Sequence, residues 1–253
     1  TEVRERQGLC YSVYAALLPM RQCGLAFCYS ATTAERAQTT LDVVAHELTH
    51  GVTQFAIPPD GLMYQNQPGQ LNESFSDVFG TLVKQRTLGQ TVDQADWLIG
   101  AGLFTANVQG VALRSMKEPG TAYNDPVLGK DPQPGHMSDY VNTTSDNGGV
   151  HINSGIPNRA FYLTATEIGG FAWEKAGRIW YVTLRDRIRS TTNFQQAADL
   201  TYAVAGELFG VNSLEQMAVK NGWAGVGITV GSSSDGDTPQ GCLQSVLKAF
   251  GIR

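Results

Sequence analysis

The period of the apolar residues changes near residue 40. Before it, aromatic and small residues alternate through Cys10-Tyr11-Ser12-Val13-Tyr14 and again through Leu25-Ala26-Phe27-Cys28-Tyr29. Pro19 and Gly24 lie between these runs, which predicts two strands joined by a loop. From Thr40 the repeat becomes helical: Leu41, Val44, Ala45, Leu48, Val52 and Phe55 recur at helical steps until Pro58-Pro59 stops them. A loop with Gly61, Pro68 and Gly69 leads to a second helix over 72–86, with Phe75, Val78, Phe79, Leu82 and Val83 on one stripe. Residues 89–150 are rich in Gly, Pro, Asp and Asn and show little periodicity. Connections of that length inside a compact domain are usually functional or hold ions. Further helices are predicted over 157–168, 173–188, 194–209 and 243–250, and 231–237 reads as a surface loop. Thr192 with Gln195, and Ser213 with Gln216, have capping-box spacing.

Composition narrows the class. The 253 residues are 42% apolar, which excludes disorder. A net charge of −5 argues against a nucleic-acid partner, and no apolar stretch approaches the length of a membrane span. The four cysteines, Cys10, Cys23, Cys28 and Cys242, fit no zinc ribbon or CxxC pair, and the first residues carry no visible signal peptide.

The chemistry concentrates in the two helices after residue 40. In His46-Glu47-Leu48-Thr49-His50 the histidines stand four residues apart on one helix face, where both imidazoles can reach one ion. Glu47 falls beside that ion, placed to take a proton from water the metal polarises. Glu73, on the next helix, supplies a third ligand and completes a His2Glu set with its fourth position open. Asp77 stands one turn further on, facing the same way, as an acceptor that fixes the tautomer of His46.

The run from Asp42 through His46-Glu47-Leu48-Thr49-His50 to Thr53, then Leu71-Asn72-Glu73-Ser74-Phe75-Ser76-Asp77, and then Asp146-Asn147-Gly148-Gly149-Val150-His151 through Asn158, resembles the thermolysin family of zinc endopeptidases, nearest its protealysin-like branch. Trp97-Leu98-Ile99-Gly100 and Leu113-Arg114-Ser115-Met116 fit as well. The resemblance covers about residue 41 to the end. It implies zinc on His46, His50 and Glu73, with Glu47 as general base. It also implies that Tyr64 and His151 stabilise the oxyanion, that Asp146 orients His151, and that Arg114 binds the substrate carbonyl beyond the scissile bond. Val43, Ile99, Leu103 and Leu113 would line an apolar pocket, hence cleavage of peptide and protein substrates before large apolar residues. Secretion is the expected localisation.

The chain departs from the family in two places. Lys84, Leu98 and Ala101 stand where some members carry carboxylates, so that calcium is at most a single weak ion near Asp42 and Asp96. The family places a long β lobe with a substrate-holding Asn-Ala pair before the zinc helix, and the expectation is that a short strand-rich segment stands in its place here. Residues 1–42, with Arg4 and Tyr11, resemble a fragment of a pitrilysin/insulinase-type peptidase, and 43–253 the thermolysin-like catalytic and helical region. The expected fold is therefore α+β, mainly α, and the expected activity that of a zinc metalloendopeptidase. The alternative is a zinc-binding pseudopeptidase or truncated chimera with impaired turnover. The short front is expected to leave apolar surface around Val43 and Val44 poorly covered.

Overall fold

The computed structural model describes residues 12–19, 24–31 and 40–231, the first two stretches as backbone only. Arg4, Tyr11, Cys10, Cys23, Cys242 and the helix expected over 243–250 lie outside the described residues. Strands β1 (Ser12–Pro19) and β2 (Gly24–Ala31) pair antiparallel in the register Ser12↔Ala31 to Pro19↔Gly24, and this hairpin approaches the first helix. Beyond residue 40 the chain is mainly helical, as expected.

Helix α1 (Leu41–Ala56) packs on α2 (Asn66–Leu88) through a face of small and polar residues: Asp42, Ala45, His46, Thr49 and Thr53 are buried. Of the apolar stripe that marked the helix in the sequence, only Ala45 lies on that face. Val43, Val44 and Leu48 are half-buried, while Val52 and Phe55 are 49% and 64% exposed. The open apolar surface is thus at the carboxy-terminal end of α1 and not around Val43 and Val44.

Helix α2 starts at Asn66, six residues before the expected boundary. Pro68 falls in its first turn, where no backbone N–H is needed. Gly69 is there for contact: a Cβ would lie 2.6 Å from Val150 Cγ1 and 3.0 Å from the Tyr64 carbonyl carbon.

The aperiodic stretch holds only two-residue strands: β3 (Leu98–Ile99) pairs with β4 (Arg114–Ser115), and β5 (Asn124–Asp125) with β6 (Gly129–Lys130). Carboxylates order the rest of it. Asp125 accepts from the N–H groups of Gln109, Val127 and Leu128, and buried Asp131 from those of Gly120, Ala122 and Gln133. These bonds satisfy backbone donors that have no ladder partner.

Helix α3 (Asp146–Asn153) opens with four residues at positive φ, 52° at Asp146 and 49°, 84° and 74° at Asn147, Gly148 and Gly149, before the chain turns right-handed. Asn and Gly are the residues that accept this conformation at least cost. Helices α4 (Gly155–Ile168), α5 (Ala176–Asp186), α6 (Phe194–Phe209) and α7 (Leu214–Ala224) complete the lobe. Their core is aromatic: Trp180 stacks on Trp223 at 6.4 Å and meets Phe161 edge-on at 5.0 Å.

The ends of α5 and the capping residues of α6 also differ from the expectation. Helix α5 is shorter than 173–188 at both ends. The box at α6 is Asn193 with Gln196, because Thr192 Oγ1 is already accepting from Arg189 N. Ser213 does cap, accepting from Gln216 N, and it starts α7, which the periodicity did not mark.

Candidate metal centre and catalytic cleft

Three side chains from α1 and α2 converge. His46 Nε2 lies 3.1 Å from His50 Nε2 and 3.4 Å from Glu73 Oε2, and His50 Nε2 lies 3.6 Å from Glu73 Oε1. Zinc bonds of about 2.0–2.1 Å at tetrahedral angles place ligand atoms about 3.3–3.4 Å apart. The donor set and its spacing therefore fit zinc. Among the described residues this is the one group of three or more His, Cys, Asp or Glu side chains whose donor atoms gather in this way, all within 4.8 Å.

Each imidazole is oriented from behind. His46 Nδ1 donates to Asp77 Oδ1 at 2.8 Å, and His50 Nδ1 to Asn72 Oδ1 at 2.8 Å with Ser76 Oγ at 3.2 Å. Both rings thus turn Nε2 toward the shared point. Asp77 is fully buried and also takes Arg114 Nε at 2.8 Å, Arg114 Nη2 at 2.7 Å and Asn158 Nδ2 at 2.8 Å. Burial alone would raise the Asp77 carboxyl, but the Arg114 guanidinium holds it well below the usual range. Burial likewise works against the charged forms of His46 and Glu73. Asp77 nevertheless lifts His46 to about 9 in the metal-free protein, and His46 with its neighbours holds Glu73 down to about 2.

Tyr64, in the loop before α2, donates to Glu73 Oε1, and its hydroxyl lies 3.3 Å from His151 Nε2. Burial, then the Glu73 contact, pushes its phenol above the ordinary value of 10. The left-handed turn lets the Asp146 carboxylate fold back over the start of α3. Its Oδ1 accepts from His151 Nδ1 at 2.7 Å and its Oδ2 from His151 N at 2.8 Å. Ring and backbone of His151 are thereby fixed by one side chain.

His46, Glu47, His50, Tyr64, Asn72, Glu73 and His151 line one cleft of about 450 Å³ together with Gln54, Asp60 and Leu62. Glu47 is exposed to it. The four expected specificity residues do not line this cleft. Ile99 and Leu103 are buried, Val43 and Leu113 half-buried. Leu103 and Leu113 press on Gly100, where a Cβ would lie 2.9 and 2.8 Å from their Cδ1 atoms, and Gly100 N donates to Asp42 Oδ2 at 2.9 Å.

The residues do not fit the weak calcium expectation. Lys84 Nζ lies 2.9 Å from Asp96 Oδ2, 3.5 Å from Asp42 Oδ2 and 3.2 Å from Leu98 O, so an ammonium already fills the space between the two carboxylates. The sequence reading gave no role to Asn72, Ser76 or Asn158. Asn72 and Ser76 were findable, because they stand one turn apart on the ligand helix.

Residues 60–228 match the family model for the alpha-helical domain of thermolysin metallopeptidases. An extracellular metalloprotease of Pectobacterium carotovorum subsp. carotovorum is 56% identical over 196 residues, 77% of this chain and 55% of that protein. Protease PrtS of Photorhabdus sp. is 50% identical over 76% of this chain and 51% of its own length. The solved precursor of protealysin, a metalloproteinase from Serratia proteamaculans, superposes with a TM-score of 0.71 at 56% identity, covering 74% of this chain and 57% of that one. The chain spans about half the length of these relatives. With the family model matched over most of its length and the two-histidine, one-glutamate centre assembled at its cleft, the chain belongs to the thermolysin metallopeptidase family.

Proposed function

We propose that this chain carries the catalytic machinery of a secreted zinc metalloendopeptidase that cuts peptide and protein substrates on the amino side of large apolar residues. The observation that carries the reading is the convergence of the His46–His50–Glu73 donors, Glu47, Tyr64 and His151 on one cleft. Zinc, when bound, supplies a Lewis acid that polarises water and the scissile carbonyl.

The chain's own residues divide the remaining work. Glu47, next to His46 and open to the cleft, takes the proton of the attacking water and passes it to the leaving amine. The Tyr64 hydroxyl and the Nε2 edge of the His151 ring, 3.3 Å apart, face the carbonyl oxygen where negative charge develops. Asp146 keeps the His151 ring aimed. Arg114 gives two N–H groups to Asp77, and in this reading others bind the carbonyl beyond the scissile bond. The apolar preference rests on the resemblance alone, which makes Val43, Ile99, Leu103 and Leu113 the pocket residues, all four of them apolar. The extracellular relatives support secretion.

Casein cleavage tests the reading. It should disappear on zinc chelation and in Glu47→Gln, and return with zinc only in the unsubstituted protein. Cleavage that survives both treatments sinks it. A peptide library that prefers acidic or basic residues after the cut would sink the apolar pocket.

A further inference from the structure

The turn that carries Asp146 and His151 has four successive residues at positive φ, a conformation disfavoured for any residue with a Cβ. Its own hydrogen bonds run from Gly148 N and Gly149 N to Ser145 O, and from His151 N to Asp146 Oδ2. These bonds give the turn its shape, but they do not say where it sits relative to the metal ligands.

Helix α2 does. Gln70 is fully buried one turn before Glu73, and its Nε2 donates to Gly148 O at 2.8 Å and to Tyr140 Oη at 2.9 Å. A backbone carbonyl can only accept, so that contact fixes which end of the amide faces the turn. Beside it, Gly69 packs directly on Val150. Residues 69 and 70 therefore grip residues 148 and 150, while the same helix presents Glu73 three positions on. His151 Nε2 comes to rest 3.5 Å from Glu73 Oε1.

We propose that Gln70 is a positioning residue that sets the distance between His151 and the metal ligands by holding the Gly148 carbonyl. The inference rests on the proposed role of His151 as an oxyanion donor. Gln70 touches neither substrate nor metal. It acts through the turn, and its amide is the only side-chain donor on α2 that reaches that turn among the described residues.

Gln70→Met keeps the length of the side chain and removes the donor. In the zinc-free and zinc-loaded chain alike, amide exchange at Gly149 and His151 should then quicken about tenfold or more, with zinc stoichiometry unchanged. On a fluorogenic peptide kcat should fall about tenfold with KM within about twofold, since a misplacement of about 1 Å can cost about a hundredfold. In a His151→Ala background the same substitution should cost less than about twofold, because the group it positions is gone. Gln70→Ala gives the same three readings if the methionine variant does not fold. Unchanged exchange at both amides, or an equal loss of kcat in both backgrounds, overturns the inference. If the unsubstituted zinc-loaded chain turns over no peptide, the proposed function fails, and the exchange measurement alone decides for or against Gln70.

Discussion

Asp77 ties His46 to the interior of the fold: Oδ1 of the fully buried carboxylate accepts from Nδ1 of the imidazole at 2.8 Å. The same carboxylate is held from the other side by Arg114 and Asn158, so three helices and a strand fix the orientation of one ligand. Replacing a group that orients a metal ligand typically costs 10–100-fold in metal affinity. Asp77→Asn should therefore weaken zinc binding by about that factor in a chelator competition, and lower the melting temperature because Arg114 loses its counter-charge. Unaltered zinc affinity would show that the bond is incidental.

Glu47 is separate from this scaffold. It is exposed in the cleft and outside the ligand set, so its carboxylate can be neutralised without dismantling the site. Glu47→Gln should retain about one zinc per chain and lose about 10²–10⁴-fold in kcat. Loss of zinc together with activity would assign Glu47 to the scaffold instead.

The charges of the metal-free site make stability depend on pH. His46 is held at about 9 against an unfolded value of 6.5, so its contribution is complete below pH 6.5 and is lost as pH rises to about 9. Glu73 is held at about 2 against 4.5, so its contribution is complete above pH 4.5 and is lost as pH falls to about 2. The metal-free protein should melt highest between these limits, at about pH 4.5–6.5. Zinc must displace the proton on His46, so the rise in melting temperature that zinc produces should grow from about pH 6.5 to 9. Calorimetry with and without zinc across that range checks this, and a zinc increment independent of pH would contradict it.

Lys84 sits between Asp42 and Asp96 and ties α2 to the amino end of α1 and to β3. Asp42 is buried, and burial already raises its carboxyl above the ordinary value despite the lysine. Lys84→Met should cost about 3 kcal/mol, the lower end of the range for breaking a buried pair, because Asp96 is open to water. Millimolar calcium should leave the melting temperature of the unsubstituted chain unchanged. A clear rise with calcium would mean that the lysine yields its place.

The sequence by itself determined which side chains gather as a metal-donor group. Ligands four residues apart on one helix share a face wherever that helix goes, so His46, His50 and the adjacent Glu47 were legible from spacing alone. Helix existence was equally local for α1, α2, α4, α5 and α6, though not for α3 or α7. Glu73 needed only a second helix near the first, and the family motif supplied the longer-range partners, Tyr64, Asp146 and His151. What tertiary structure decided was which face is inside and what stands behind each ligand. The apolar stripe of α1 predicts the helix correctly, yet the buried face is the one with Asp42, His46 and Thr53, because α2 requires small and polar contacts there. Pro68 and Gly69 read as a loop and lie in a helix, Pro68 in its first turn and Gly69 against Val150. Asn158 stands 81 residues from Asp77, and Gln70 stands 78 from Gly148. Such pairs have no periodicity to betray them. They exist because a buried carboxylate and a left-handed turn must each find their hydrogen bonds inside the protein, and only the folded chain determines which side chains are near enough to provide them.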